Sequence, residues 1–216
     1  MRSFNLQDLL ALLEALKWTV ALVAVALALG GPLALALSLM RTGKAHVPRT
    51  VSTAFLEIVQ GIPLLGLLMF FYFGIPVFLG LDVPALAAVG IAYAIYAAAF
   101  LGDIWRGGIQ AIKHAQWEAA ACLGITRWQQ FRYVIAPQAF RIALPATVGF
   151  LVQLIKNTSL ASVVGFVELA RAGQIASAGT FQPLLIYSVV AAIYFAICFP
   201  LTSWSRKLEA RLNGAR

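Results

Sequence analysis

The residues of this chain equipped to do chemistry stand in short polar groups inside an otherwise apolar sequence. Glu57 and Gln60 come directly before Gly61-Ile62-Pro63, Asp103 stands three residues before Arg106, and Lys156-Asn157-Thr158-Ser159 forms a third group. The longest polar stretch runs from Gln116 to Pro137, QWEAAACLGITRWQQFRYVIAP, with Glu118, Arg127, Arg132 and three glutamines. None of these groups is built for covalent catalysis. The sequence has no Ser/His/Asp set, HExxH or paired carboxylates, and both histidines, His46 and His114, fall in expected loops. Gly43-Lys44 lacks the rest of a Walker-type phosphate loop, since Ala45 follows and position 38 is not glycine. Cys122 and Cys198 lie in a polar loop and an apolar run, and no Cys/His spacing fits a disulfide or a metal. The chemistry open to these groups is hydrogen bonding to a polar solute and docking to another protein; for Lys156 to Ser159 the plainer alternative is a polar span end capped by Thr158 and Ser159.

Docking fits the long stretch best. Trp117 to Leu123 contains good helix formers and no breaker, and Gly124 supplies a stop. A second short helical run, Arg127 to Ile135, precedes Pro137, which is expected to hold Ala136 extended. The pattern predicts two short helices bent about a glycine, with Ala119, Ala120 and Ala121 offering a surface that another backbone can approach closely. An interfacial helix lying on lipid headgroups is the plainer alternative.

The elements that must position these groups are membrane spans. The chain is 216 residues long, 62% hydrophobic and only 11% charged, where a soluble domain is about a quarter charged. Its mean hydropathy is +0.88. Apolar runs predict one all-α membrane domain over residues 1–216, with spans at about 18–40, 55–81, 83–106, 138–156 and 183–205 and a polar loop at 113–137. Residues 5–16, capped by Asn5 with Asp8, are read as a short interfacial helix or as an extension of the first span, and 41–49 as a basic loop. Gly30-Gly31-Pro32 predicts a kink or a close helix contact in the first span, and Gly61-Ile62-Pro63 either an ordinary proline kink or a discontinuous second span lining a pathway. Residues 161–180 are too polar to span and are read as short helices in a gate-like connection. Net charge is +8, and the basic residues sit beside the spans, which fits orientation in a bilayer and not nucleic-acid binding. Five spans place the ends on opposite sides. Twelve of the sixteen Lys and Arg then share one side with the C-terminus and the 113–137 loop, which marks it cytoplasmic and the N-terminus external.

Against that background the spacing within the loop is specific. Glu118-Ala119-Ala120, three residues, Gly124, nine residues, Val134, one residue and Ala136-Pro137 resembles the EAA loop of bacterial ABC-importer permeases, with Val134 and Ala136 for the family's Ile and Leu. Residues 55–65 resemble the polar-amino-acid branch at Glu57, Gly61, Pro63 and Leu64, and depart from it at Gln60 and Ile62, Gln60 replacing an arginine. Ala97 to Arg106 resembles the same branch with Phe100 for Tyr and Asp103 for Glu, and residues 156–160 resemble its Lys-Asp-Thr-Ser-Leu. Tyr96 and Gly149 stand where relatives often carry Asn.

The resemblance implies a type I ABC importer permease fold of five transmembrane helices and a cytoplasmic coupling-helix loop, in a bacterial inner membrane. It implies coupling to an ATPase through Glu118, Ala119, Ala120, Gly124 and Arg127. It further implies a pathway or gate at Glu57, Gln60, Gly61, Pro63, Tyr96, Gly149, Asn157, Thr158 and Ser159. The implied partners are a cytoplasmic ABC ATPase dimer that binds ATP and Mg, an extracytoplasmic amino-acid-binding protein and a second permease, in a heterodimer or a homodimer. No cofactor is expected on this chain, and it is not expected to be an enzyme. The rivals are an ABC permease for another solute and a stand-alone ion-coupled carrier. The carrier is disfavoured because no internal repeat is visible and every acid falls at a span end or in a loop.

Overall fold

The structure is a computed structural model that describes residues 4–80 and 82–214. Leu81, the expected end of the second span, and Arg2 and Arg216 of the charge count lie outside the described residues. The first helix, α1, is Leu6–Thr42. Asn5 caps it reciprocally with Asp8, each side chain bonding the other's backbone N–H at 3.1 Å. Of the two readings of residues 5–16, the structure shows the extension: from Leu6 they are the first part of α1, because neither Gly nor Pro interrupts residues 6–29.

Helix α2, His46–Gly61, starts well before residue 55, so the basic loop shrinks to 43–45; Pro48 sits in the first turn, where its missing N–H costs nothing. Pro63 then disfavours helix at Ile62, which is extended (φ −97°, ψ 128°). The chain resumes as α3, Leu64–Leu79, bent 99° from α2. The next long helix, α4, is Ala85–Gln110, followed by the short α5, His114–Cys122.

Helix α6 runs unbroken over Arg127–Ser162. Two expectations fail here. Arg127–Ile135 is not a separate short helix, and Ala136 is helical (φ −60°, ψ −41°). A π turn over Gln130–Ile135 accounts for both, since its longer loop relieves the crowding a proline ring causes one turn back. Helix α7, Leu169–Thr180, is too short to span, and α8 is Pro183–Gly214.

At the centre α1 lies against α4. A Cβ added at Gly30 would come within 2.5 Å of the Ala94 carbonyl oxygen, and one at Gly102 within 3.3 Å of that of Ala34. Small residues at such a seam bring backbones into direct contact, as between helices in lipid, where dispersion replaces the hydrophobic effect. On the other side of α4, Gly108 meets Ala139 and Ala143 of α6 equally closely. Helix α7 is wedged between α1 and α8 through Leu12, Leu169, Ala176, Ile186 and Val190. Among the described residues four helices, α1, α4, α6 and α8, are long and apolar enough to cross a bilayer, and the bent pair α2–α3 makes a fifth where it is taken as one broken span. The protein is an all-α integral membrane protein.

Candidate coupling loop and solute pathway

The loop between α4 and α6 has a fixed base and a bare tip. Its base is apolar: Ile109, Ile112, Ile135 and Ala139 are buried, with Trp117, Phe131 and Val134 packed on them. At the tip, Leu123 caps α5 and Gly124 follows in the left-handed region (φ +68°). Its N–H bonds the Ala121 carbonyl at 3.0 Å. A Cβ at Gly124 would meet nothing within 4 Å, so glycine is required there by backbone conformation and not, within this chain, by packing. Thr126 then caps α6 in a reciprocal box with Gln129. Of the alanines, Ala120 is buried, whereas Ala119 and Ala121 are exposed. Glu118 is exposed and, among the described residues, pairs with His114 of the preceding turn (3.0 Å). Arg127 is exposed, as are Leu123 and Trp128, whose apolar side chains stand in the open.

The expected pathway residues divide into those that meet and those that do not. Tyr96 is buried, its ring 4.5 Å from that of Phe100 and 5.9 Å from that of Phe150. Its hydroxyl accepts from Asn157 Nδ2 at 3.3 Å and from Gln153 Nε2 at 3.5 Å. Tyr93 Oη donates to the Asn157 carbonyl at 2.6 Å. Gln60 Nε2 reaches the Ala99 carbonyl, three residues from Tyr96, at 3.5 Å. Gly61 and Pro63 form the 99° break. Gly149 is exposed with open space beside it. Thr158 and Ser159 turn back on their own helix, donating to the Ile155 and Lys156 carbonyls at 2.7 Å each, and Thr158 is buried. Glu57 lies apart from this group, exposed toward the charged ends of α1 and α4.

Several side chains at these sites escaped the sequence reading. Asp103 Oδ1 accepts from Arg106, one helical turn on, and also from Arg41 Nη1 at 2.7 Å, which ties α1 to α4. Gln153 and Tyr93 lie on the helical faces of Asn157 and Tyr96, and their spacing from those residues is the signal that would have found them. Glu168 is fully buried although it lies in the loop before α7. It caps α7 by accepting from the Ala170 and Arg171 N–H groups at 3.0 and 2.9 Å and takes the Tyr194 hydroxyl of α8 at 2.9 Å. Thr19 of α1 accepts from the Leu169 N–H beside it. Burial pushes the Glu168 carboxyl above the ordinary glutamate range, against the pull of these donors.

A bundle of crossings with one broken helix, an interior polar group and a protruding loop defines a membrane transport component. The chain belongs to the family described as the inner membrane component of binding-protein-dependent transport systems, whose profile matches residues 29–214. It is similar to the Escherichia coli (strain K12) glutamine transport system permease protein GlnP, at 35% identity over 94% of this chain and 93% of that one. It is also similar to the probable amino-acid ABC transporter permease protein YckA of Bacillus subtilis (strain 168), at 33% identity over 92% and 88%. Among solved structures, an amino acid ABC transporter crystallised with histidines matches with a TM-score of 0.85 at 30% identity, over 97% of this chain and 100% of that one. The MetNI methionine ABC transporter shares the fold, with a TM-score of 0.71 at 22% identity over 94% of each chain. The chain is a multi-pass permease subunit of a type I ABC importer.

Proposed function

We propose that this subunit carries polar amino acids inward, handed over by an extracytoplasmic binding protein and driven by a cytoplasmic ABC ATPase dimer that alone hydrolyses ATP. The observation that carries this reading is similarity along almost the whole chain to permeases named for glutamine and other amino acids. The bare tip of the 113–137 loop is the ATPase docking surface, with Glu118, Ala119, Ala120, Gly124 and Arg127 in contact. Closure of the ATPases pulls this tip, the fixed base transmits the pull to α4 and α6, and access switches across the membrane. The N-terminus faces outward and the C-terminus the cytoplasm, as the excess of basic residues favours.

Gln60, Tyr96, Asn157, Thr158 and Ser159 with Gly149 wall the middle of the pathway, and Glu57, Gly61 and Pro63 form its broken-helix gate. A second permease completes the pathway, in a heterodimer. The test is reconstitution with the cognate ATPase and binding protein in proteoliposomes, measuring ATP-dependent uptake of glutamine, glutamate, histidine and arginine. Uptake of at least one is expected. Uptake of none, with a sugar or peptide carried instead, overturns the reading.

A further inference from the structure

Helix α2 is polar along one face. His46, Thr50, Thr53, Glu57 and Gln60 recur at alternating steps of four and three, while Ser52, Leu56 and Val59 are buried on the other side. The stripe extends for about 21 Å of helix at 1.5 Å per residue. All of it is exposed except Thr53, which is half-buried. Ionisable and polar groups are costly against hydrocarbon and line cavities instead, so this face looks onto water or protein.

His46, Thr50, Thr53 and Glu57 of the stripe form one wall of a cleft of about 410 Å³, and the facing wall holds Arg41 of α1 with Arg106 and Gln110 of α4. Its charges do not cancel locally. Arg41 and Arg106 share the single carboxylate of Asp103, bonding the same oxygen, which leaves one positive charge in excess. Arg49 and Glu57 also line the cleft, and neither has an ion-pair partner among the described residues. A cleft of this size suits a small molecule. Guanidinium groups in surplus suit a carboxylate, which they grip through paired N–H donors. A lone glutamate in the same cleft repels a purely anionic ligand such as a lipid phosphate, but pairs with an ammonium. The complement of this arrangement is a zwitterion.

We infer that the cleft is a cytoplasmic-side site for the main-chain carboxylate and ammonium of an amino acid that has crossed the membrane. Arg41, Arg49 and Arg106 face the carboxylate, and Glu57 faces the ammonium. Gln60, at the inner end of the stripe, joins this site to the Tyr96 and Asn157 group. The inference rests on the amino-acid reading and orientation proposed above. The site holds the solute after passage and before release, so its ligand is presented from the cytoplasm.

The test uses the full complex with ATPase and binding protein in nanodiscs, carrying Cys122→Ser and Thr53→Cys, with a hydrophilic maleimide as the label. Because the site reads main-chain groups only, L-glutamine serves as probe whichever side chain is carried. Glutamine is expected to slow labelling of position 53. Glutaminamide, without the carboxylate charge, and N-acetylglutamine, without the ammonium, are each expected to need about tenfold higher concentration or more. Arg49→Gln is expected to erase the disadvantage of the amide, and Glu57→Gln that of the acetyl derivative. Thr50→Cys on the same face replaces Thr53→Cys if the latter fails to assemble. Uptake by the parent complex is measured in parallel. If it carries an amino acid and glutamine gives no protection, or the derivatives or inorganic phosphate protect equally well, the cleft assignment falls while the amino-acid reading stands. If it carries no amino acid, both fall.

Discussion

Glu168 shows how much one residue can join. Its carboxylate caps α7 and holds the Tyr194 hydroxyl of α8, while the N–H of the next residue bonds Thr19 of α1. A carboxyl whose proton is held more tightly folded than unfolded contributes most below the ordinary glutamate range. Its contribution declines as pH rises through the raised value. Wild-type stability minus that of Glu168→Gln is therefore expected to fall as pH is raised from 4 to 8, read from thermal unfolding of the purified protein in detergent. A difference that grows with pH contradicts the assignment. The sequence places Glu168 in a loop and goes no further, since burial here comes from residues 149 and 26 positions away. Asn157 and Tyr96 were each legible as unusual residues, whereas Arg41–Asp103 was not legible as a contact. The first two differ from a family pattern, whereas the ion pair joins residues 62 apart that follow no local spacing.

At the scale of elements, two pairs of glycine variants separate causes that the sequence leaves merged. Gly30-Gly31-Pro32 predicts a kink or a close contact without saying which glycine matters. In the fold, Gly30 faces the α4 backbone and Gly31 faces open space. Gly30→Leu is expected to cost at least the 1–3 kcal/mol typical of overpacking (about that order) and to reduce the yield of folded protein, whereas Gly31→Leu leaves yield near wild type. Fluorescence-detected size exclusion measures both, and equal yields refute the seam. In the coupling loop the relevant variable is backbone conformation. Gly124→Leu forces a branched side chain into the left-handed region at about 1–2 kcal/mol, which reshapes the tip without disturbing its apolar base. Asn tolerates that region. Gly124→Leu is expected to insert normally and lose most substrate-stimulated ATPase activity, while Gly124→Asn keeps most of it; equal coupling in the two variants would show that the turn is irrelevant. The helix stop at Gly124 was readable because glycine marks such turns. The continuity of α6 through Pro137 was not, because a π turn leaves no comparable mark in composition.

The whole molecule poses the question of what one subunit lacks. Five crossings do not enclose a pathway, and among the described residues the hydrogen-bonded group of Tyr96, Gln153 and Asn157 includes no carboxylate. Tyr96 is wedged between Phe100 and Phe150, and Asn157 and Gln153 each direct one amide N–H to its hydroxyl. Thr158 and Ser159 are likewise committed to their own helix. An ammonium group desolvated against this wall finds no carboxylate, and burial of an unpaired charge is costly. Arg41, Arg106 and Glu57 lie apart from this wall, in the cleft toward the ends of α1, α2 and α4. A different partner permease that supplies the missing mid-membrane groups resolves the conflict, with this half as wall and exit. Expressed with the ATPase alone, the chain is then expected to give no amino-acid-stimulated ATPase activity. Coexpression with the partner permease restores it, and Tyr96→Phe changes that restored activity less than about threefold, because the lost hydroxyl bonds only protein groups. A homodimer that transports amino acids by itself, and loses uptake on both Asn157→Ala and Tyr96→Ala, would place a working solute site in this half and rule out the division of labour.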